Sequence, residues 1–231
     1  MSQEQQWVII SLGGSIIVPK EGIAVAFLRE FKAMIEELLA HGLRFVIVTG
    51  GGRTARNYQE AAHGIGHLND EDLDWLGIHA ARLNAHLIRT IFKESAAPRI
   101  VTNPLEDPLP HDAKMIVGAG WKPGFSTDYD AAVIAKRLGA KRIVNLSNIS
   151  HVYSEDPRTN PKAKKFETMS WKELRAIIGD TWSPGLNVPF DPIAAKLCEQ
   201  EQMTVAILSG DDLANIKAAL EGKKCKGTSI S

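Results

Sequence analysis

The chain has 231 residues, 44% of them hydrophobic and 23% charged, so it can bury a full core and falls among ordinary globular proteins. Acidic and basic side chains balance at 27 each, which excludes the long-range field that draws a protein onto nucleic acid or an anionic membrane. The polar stretch Met1 to Gln6 and the short apolar run Trp7 to Leu12 read as neither signal sequence nor membrane span, and Cys198 and Cys225 lack disulfide-framework or zinc-site spacing, so a cytoplasmic protein is expected.

Taken in chain order, short β-rich runs alternate with helical patterns. A strand at Trp7 to Ser11 leads to a helix around Gly22 to His41, a strand at Leu43 to Val48, and helical stretches near Thr54 to Ala62 and Leu73 to Phe92. The rhythm continues with strand Lys114 to Val117, helix Asp128 to Leu138, strand Arg142 to Leu146, helix Pro192 to Gln202, strand Thr204 to Leu208 and helix Leu213 to Glu221. Helices that regularly separate strands imply a mostly parallel sheet covered on both faces, an α/β fold. The stretch Ser147 to Pro189 departs from this, being rich in Pro, Lys and Trp with one clear helix near Trp171 to Ile178, and reads as a ligand-covering insertion.

Three predicted strands run straight into glycine: Leu12 into Gly13-Gly14-Ser15, Val48 into the Gly50 to Gly52 triplet, and Val117 into Gly118-Ala119-Gly120. In an open parallel sheet, ligands bind beyond the carboxyl ends of the strands, where glycine lets backbone N–H groups approach a phosphate. Several such turns suit two phosphorylated molecules. For a single pair, a tight turn with no ligand is an equal explanation; three together favour phosphate. The P-loop pattern is absent, since Gly222 to Thr228 only imitates it, with Thr228 where its Lys belongs, and no GxGxxG follows the first strand.

The residues Ser11-Leu-Gly-Gly-Ser15, Gly50-Gly-Gly-Arg-Thr-Ala-Arg56, Asp74-Trp-Leu-Gly-Ile78 with Arg82 and Asn84, and Ser126-Thr-Asp-Tyr-Asp-Ala-Ala132 resemble the motifs of the amino-acid kinase family, in the order found in UMP kinases. Val152-Tyr-Ser-Glu-Asp-Pro157, Asn160-Pro-Lys-Ala163 and Phe190-Asp-Pro-Ile-Ala-Ala195 resemble the ATP-side motifs of the same enzymes, especially archaeal-type ones. The resemblance runs nearly end to end. It implies a three-layer αβα sandwich, one domain over residues 1–231, with an acceptor lobe to about 145 and a donor lobe from about 146. The implied reaction is transfer of a phosphoryl group from ATP-Mg2+ to UMP, supplying pyrimidine nucleotides, in a homo-oligomer, a hexamer built from dimers.

The same resemblance assigns Gly51, Gly52 and Arg56 to the UMP phosphate, Asp74 to the acceptor ribose and Thr127 to the acceptor nucleotide. Gly13, Gly14, Ser15, Asn148, Tyr153 and Asp156 fall to ATP, while Asp128 and Asp191 organise the reacting groups; no protein metal ligand is assigned. Local chemistry supports a guanidinium fork on phosphate oxygens. It also offers simpler roles: Asp74 as a helix N-cap, and Ser126, Thr127 and Asp130 as a capping box.

Position 11 is Ser where many family members carry a Lys that meets the transferred phosphoryl, so another cation has to serve, and Lys122 in Gly120-Trp-Lys-Pro-Gly124 is the candidate. Ile149-Ser-His151 stands where the family commonly reads Val-Asp-Gly. Two other readings compete: a kinase of this fold acting on another small phosphate or carboxylate acceptor, and a nucleotide-binding or storage protein without turnover. No nucleic-acid or membrane partner is expected.

Overall fold

A computed structural model describes residues 7–181 and 188–231. Its core is a seven-stranded sheet in the order β3-β2-β1-β4-β8-β9-β7. The strands are β1 (Trp7–Leu12), β2 (Arg44–Thr49), β3 (Met115–Gly118), β4 (Arg142–Ser147), β7 (Thr168–Met169), β8 (Thr204–Ser209) and β9 (Thr228–Ile230). The first five in that order, β3 to β8, run parallel; β9 is antiparallel to β8 and parallel to β7. A separate hairpin pairs β5 (Val152–Tyr153) with β6 (Lys165–Phe166).

The central strand β1 is buried at every residue, as expected of a strand covered on both faces. Its alternate side chains feed two cores. Trp7 and Ile9 pack into one with α5 (Thr127–Arg137), α6 (Trp171–Ile178) and α7 (Pro192–Gln200). Val8, Ile10 and Leu12 join the other with α2 (Val25–Ala40), α4 (Asp70–Ile91) and α8 (Leu213–Leu220). The chain is thus a three-layer α/β sandwich, as the alternation of patterns implied. Two further helices, α1 (Gly14–Ile17) and α3 (Gly52–Ile65), start at the first two glycine turns.

The region read as an insertion holds β5, β6, β7 and α6, the last with the bounds the sequence indicated and a Ser170/Glu173 capping box. Positions 182–187 of that region lie outside the described residues. Among the described residues, no helix is long and apolar enough to cross a membrane.

Candidate active site

Everything the site needs begins at the carboxyl ends of β1, β2, β3 and β4. The first two glycine turns touch backbone to backbone: a Cβ placed on Gly14 would overlap Gly52 N and stand 2.6 Å from Gly50 O. Gly52 also has φ +63°, a conformation that side chains disfavour. Gly13 donates its N–H to Leu146 O at 2.8 Å, which joins the β1 turn to the end of β4.

The helix α4 fastens the second and third glycine turns. Asn84, 3% exposed, donates to the carbonyls of Gly50 (2.8 Å) and Gly51 (3.2 Å), and Thr49 Oγ1 donates to Ala81 O at 3.0 Å. Arg82 reaches the third turn, donating to Gly120 O (3.0 Å) and Trp121 O (2.8 Å). Asp74 Oδ2 accepts from Gly124 N at 2.7 Å. Asp74 is therefore not the helix cap: α4 starts at Asp70, and Asn69 caps it by accepting from Asp72 N. Three acids in its first turn suit the positive end of the helix dipole.

Asp128, half-buried at the start of α5, sits where these elements converge. Its Oδ1 accepts from Ser11 Oγ at 2.7 Å and Asn145 Nδ2 at 2.8 Å, and its Oδ2 accepts from Asp191 N at 3.4 Å. Burial raises its pKa to about 6, with the Asp191 charge pushing the same way and the Ser11 and Asn145 hydrogen bonds opposing. Asp191 is 3% exposed and caps α7, its Oδ1 accepting from Ala194 N at 2.6 Å; its Oδ2 has no hydrogen-bond partner among the described residues. Burial lifts its pKa too.

Sequence reasoning missed a second buried acid. Asp130 is 1% exposed and its Oδ2 accepts from Trp121 N at 3.2 Å, so it holds the third turn instead of joining a capping box; Ser126 alone caps α5, accepting from Tyr129 N. Burial drives Asp130 well above the ordinary carboxylate range against the pull of the Trp121 amide. An aspartate two residues after Thr-Asp carries no visible signal, because helix position alone does not tell an inward acid from a solvated one.

On the other side of β4 opens a cavity of about 580 Å³, lined by Asn148, Tyr153, Asp156, His151 and Ile177 among others. Three of the six residues assigned to ATP therefore share one wall system, which Gly13, Gly14 and Ser15 do not line; Gly13 is joined through Leu146 to the strand that ends at its rim. Asp156 is engaged by Arg158 at 2.7 Å, which holds its carboxyl below the usual range. Burial holds the His151 ring, another cavity residue, below the ordinary histidine range.

Of the residues the resemblance assigns to UMP, Thr127 opens α5 directly before Asp128, and Gly51 precedes α3, which carries Arg56 exposed on its second turn. Arg53 is held by Glu60 at 2.9 Å, so the two arginines of that turn are not equivalent. Lys122 is exposed, its Nζ 4.1 Å from the Trp121 ring centre and 5.4 Å from that of Phe125. Among the described residues, no group of three His, Cys, Asp or Glu side chains could hold a metal ion alone.

The amino acid kinase family model matches residues 6–209. A uridylate kinase of Methanospirillum hungatei is 35% identical over 226 residues, covering 97% of this chain and 94% of that protein. Another, from Pyrococcus abyssi, is 34% identical over 225 residues, covering 96% and 98%. The crystal structure of uridylate kinase from Archaeoglobus fulgidus superposes with a TM-score of 0.80 at 32% identity, covering 97% of this chain and 99% of that one. The UMP kinase of Bacillus anthracis, 18% identical, shares the fold with a TM-score of 0.76 over 98% and 96% of the two chains.

Proposed function

The chain belongs to the amino acid kinase family, and from that premise we propose that it is a uridylate kinase, transferring the terminal phosphoryl group of ATP to UMP. The observation that carries this reading is Asp128: one half-buried carboxyl bonded to Ser11 at the end of β1 and to Asn145 of β4, the strand whose last residue, Ser147, lines the cavity.

Phosphoryl transfer asks for positioning and charge neutralisation more than covalent chemistry. Gly51, Gly52 and Arg56 bind the UMP phosphate, Asp74 faces the ribose and Thr127 touches the nucleotide. Asn148, Tyr153 and Asp156 seat the adenosine, with Gly13, Gly14 and Ser15 towards the phosphates. Asp128 and Asp191 orient the groups around the transferred phosphoryl, and Lys122 swings in from its aromatic rest position. Mg2+ arriving with ATP would supply charge neutralisation; among the described residues Asp130 Oδ1 and Asp191 Oδ2 are the buried carboxylate oxygens without a partner, and Asp191 would be the one to hold the ion. Helices α3 and α4 leave Tyr58, Ile65 and Leu83 exposed, which supports a homo-oligomer; the resemblance extends this to a hexamer built from dimers, working in the cytoplasm.

Purified protein incubated with ATP, Mg2+ and a panel of nucleoside monophosphates should release ADP only with UMP. Release with a different acceptor would replace the substrate assignment, and nucleotide binding without release would replace the enzyme by a binding protein.

A further inference from the structure

The stretch Gly222 to Thr228 imitates a phosphate loop and takes no part in either nucleotide site described above. Its last residue nonetheless reaches the donor side. Thr228 begins β9 and is 1% exposed. Its hydroxyl stands between two residues that face each other across the hairpin: Val152 N donates to Thr228 Oγ1 at 2.8 Å, and Thr228 Oγ1 donates to Phe166 O at 2.5 Å. One side chain thus ties both strands of the hairpin, at its base, to the main sheet.

The tie is rigid at its sheet end. Thr228 pairs with Ile207 of β8, a strand buried against β4. Gly227 just before it lies so close to Ile207 O that a Cβ would overlap it, which lets β9 start flush against β8. At its other end the tie meets the segment that walls the cavity. Residues Tyr153 to Arg158, six of the lining residues, follow directly from Val152. The hairpin itself has two residues in each strand, too few to hold a fixed attitude unaided.

We propose that Thr228 is a positioning residue for the donor nucleotide, setting the angle of the hairpin that walls the ATP cavity from the last strand of the sheet. The proposal rests on the donor-site reading above. A hydroxyl is needed because it both accepts from an N–H and donates to a carbonyl. Valine has the same shape and can do neither, leaving Val152 N buried and unpaired and Phe166 O without its donor. Serine keeps both bonds.

Calorimetric titration of ATP into the wild type, Thr228→Val and Thr228→Ser, with UMP kinetics in parallel, tests this. Thr228→Val should weaken ATP binding and raise KM for ATP at least tenfold with KM for UMP within twofold, while Thr228→Ser stays within twofold on both. Equal ATP affinity in wild type and Thr228→Val overturns the proposal, as does an equal loss for ATP and UMP or a failure of serine to restore binding. A wild type that binds no ATP sinks the donor-site reading itself, a distinct result. Should Thr228→Val not fold, hydrogen exchange at Val152 N–H in the wild type decides: slower exchange with ATP but not with UMP supports the tie, and exchange indifferent to ATP overturns it.

Discussion

Ser11 satisfies Asp128 without contributing charge. A hydroxyl bonded to a carboxylate is worth about 1.5 to 3 kcal/mol, whereas a cation about 4 Å from a phosphate is worth roughly 4 kcal/mol at an effective dielectric of 20. The serine cannot do a lysine's work on the phosphoryl group, and each ~1.4 kcal/mol lost is a factor of ten in rate. Lys122→Ala is therefore expected to lower kcat at least tenfold and leave KM for UMP within twofold; steady-state kinetics with unchanged kcat would remove Lys122 from the mechanism. Asp128 adds a pH signature. It takes up a proton as pH falls through about 6, so kcat should fall along an acid limb near that value, and Asp128→Asn should abolish turnover at every pH. Stability moves the other way: between the ordinary 3.8 and about 6 the folded chain keeps a proton that the unfolded chain has lost, so this group's contribution declines as pH rises through that window and stays lost above it. A pH profile of kcat flat down to pH 5 would show that the ionised carboxyl is not required.

At the scale of elements, α4 is the organiser of the side proposed to take UMP, holding the second and third glycine turns. Arg82 spans the third turn with two hydrogen bonds to carbonyls. Its replacement by Met keeps the aliphatic stem and removes both, so KM for UMP should rise at least tenfold with KM for ATP within twofold; parallel kinetics that show both constants moving together would mean the helix has failed as a whole. The motif residues Asp74, Arg82 and Asn84 were visible in the sequence, and their partners were not, because a carbonyl some forty positions away leaves no trace in composition or periodicity. The start of α4 was read three residues late, since Asp70-Glu71-Asp72 looks like a solvated loop until the dipole of the helix behind it is considered. Strands of two or three residues, β5, β6, β7 and β9, lie below the length at which alternation can be recognised. Thr228 was noticed only as a failed phosphate motif, its hydroxyl bridge being a contact across 76 positions.

Over the whole molecule, the parallel sheet and its two cores were legible because strands buried on both faces read as runs of apolar residues, as Trp7–Ile10 and Phe45–Val48 do. The glycine turns announced the end of the sheet where ligands gather. The burial of Asp130 and Asp191 and their gathering with Asp128 were not legible, since they arise only when α5 and α7 close over β1 and β4. The backbone contact of Gly14 with Gly50 and Gly52 has a consequence at this scale. No rotamer intervenes there, so the span between the two halves of the reaction is set by the radii of peptide atoms. Thermal jostling of side chains or gradual replacement within the core can reshape either pocket while that span keeps a single value, like two gauge blocks wrung together.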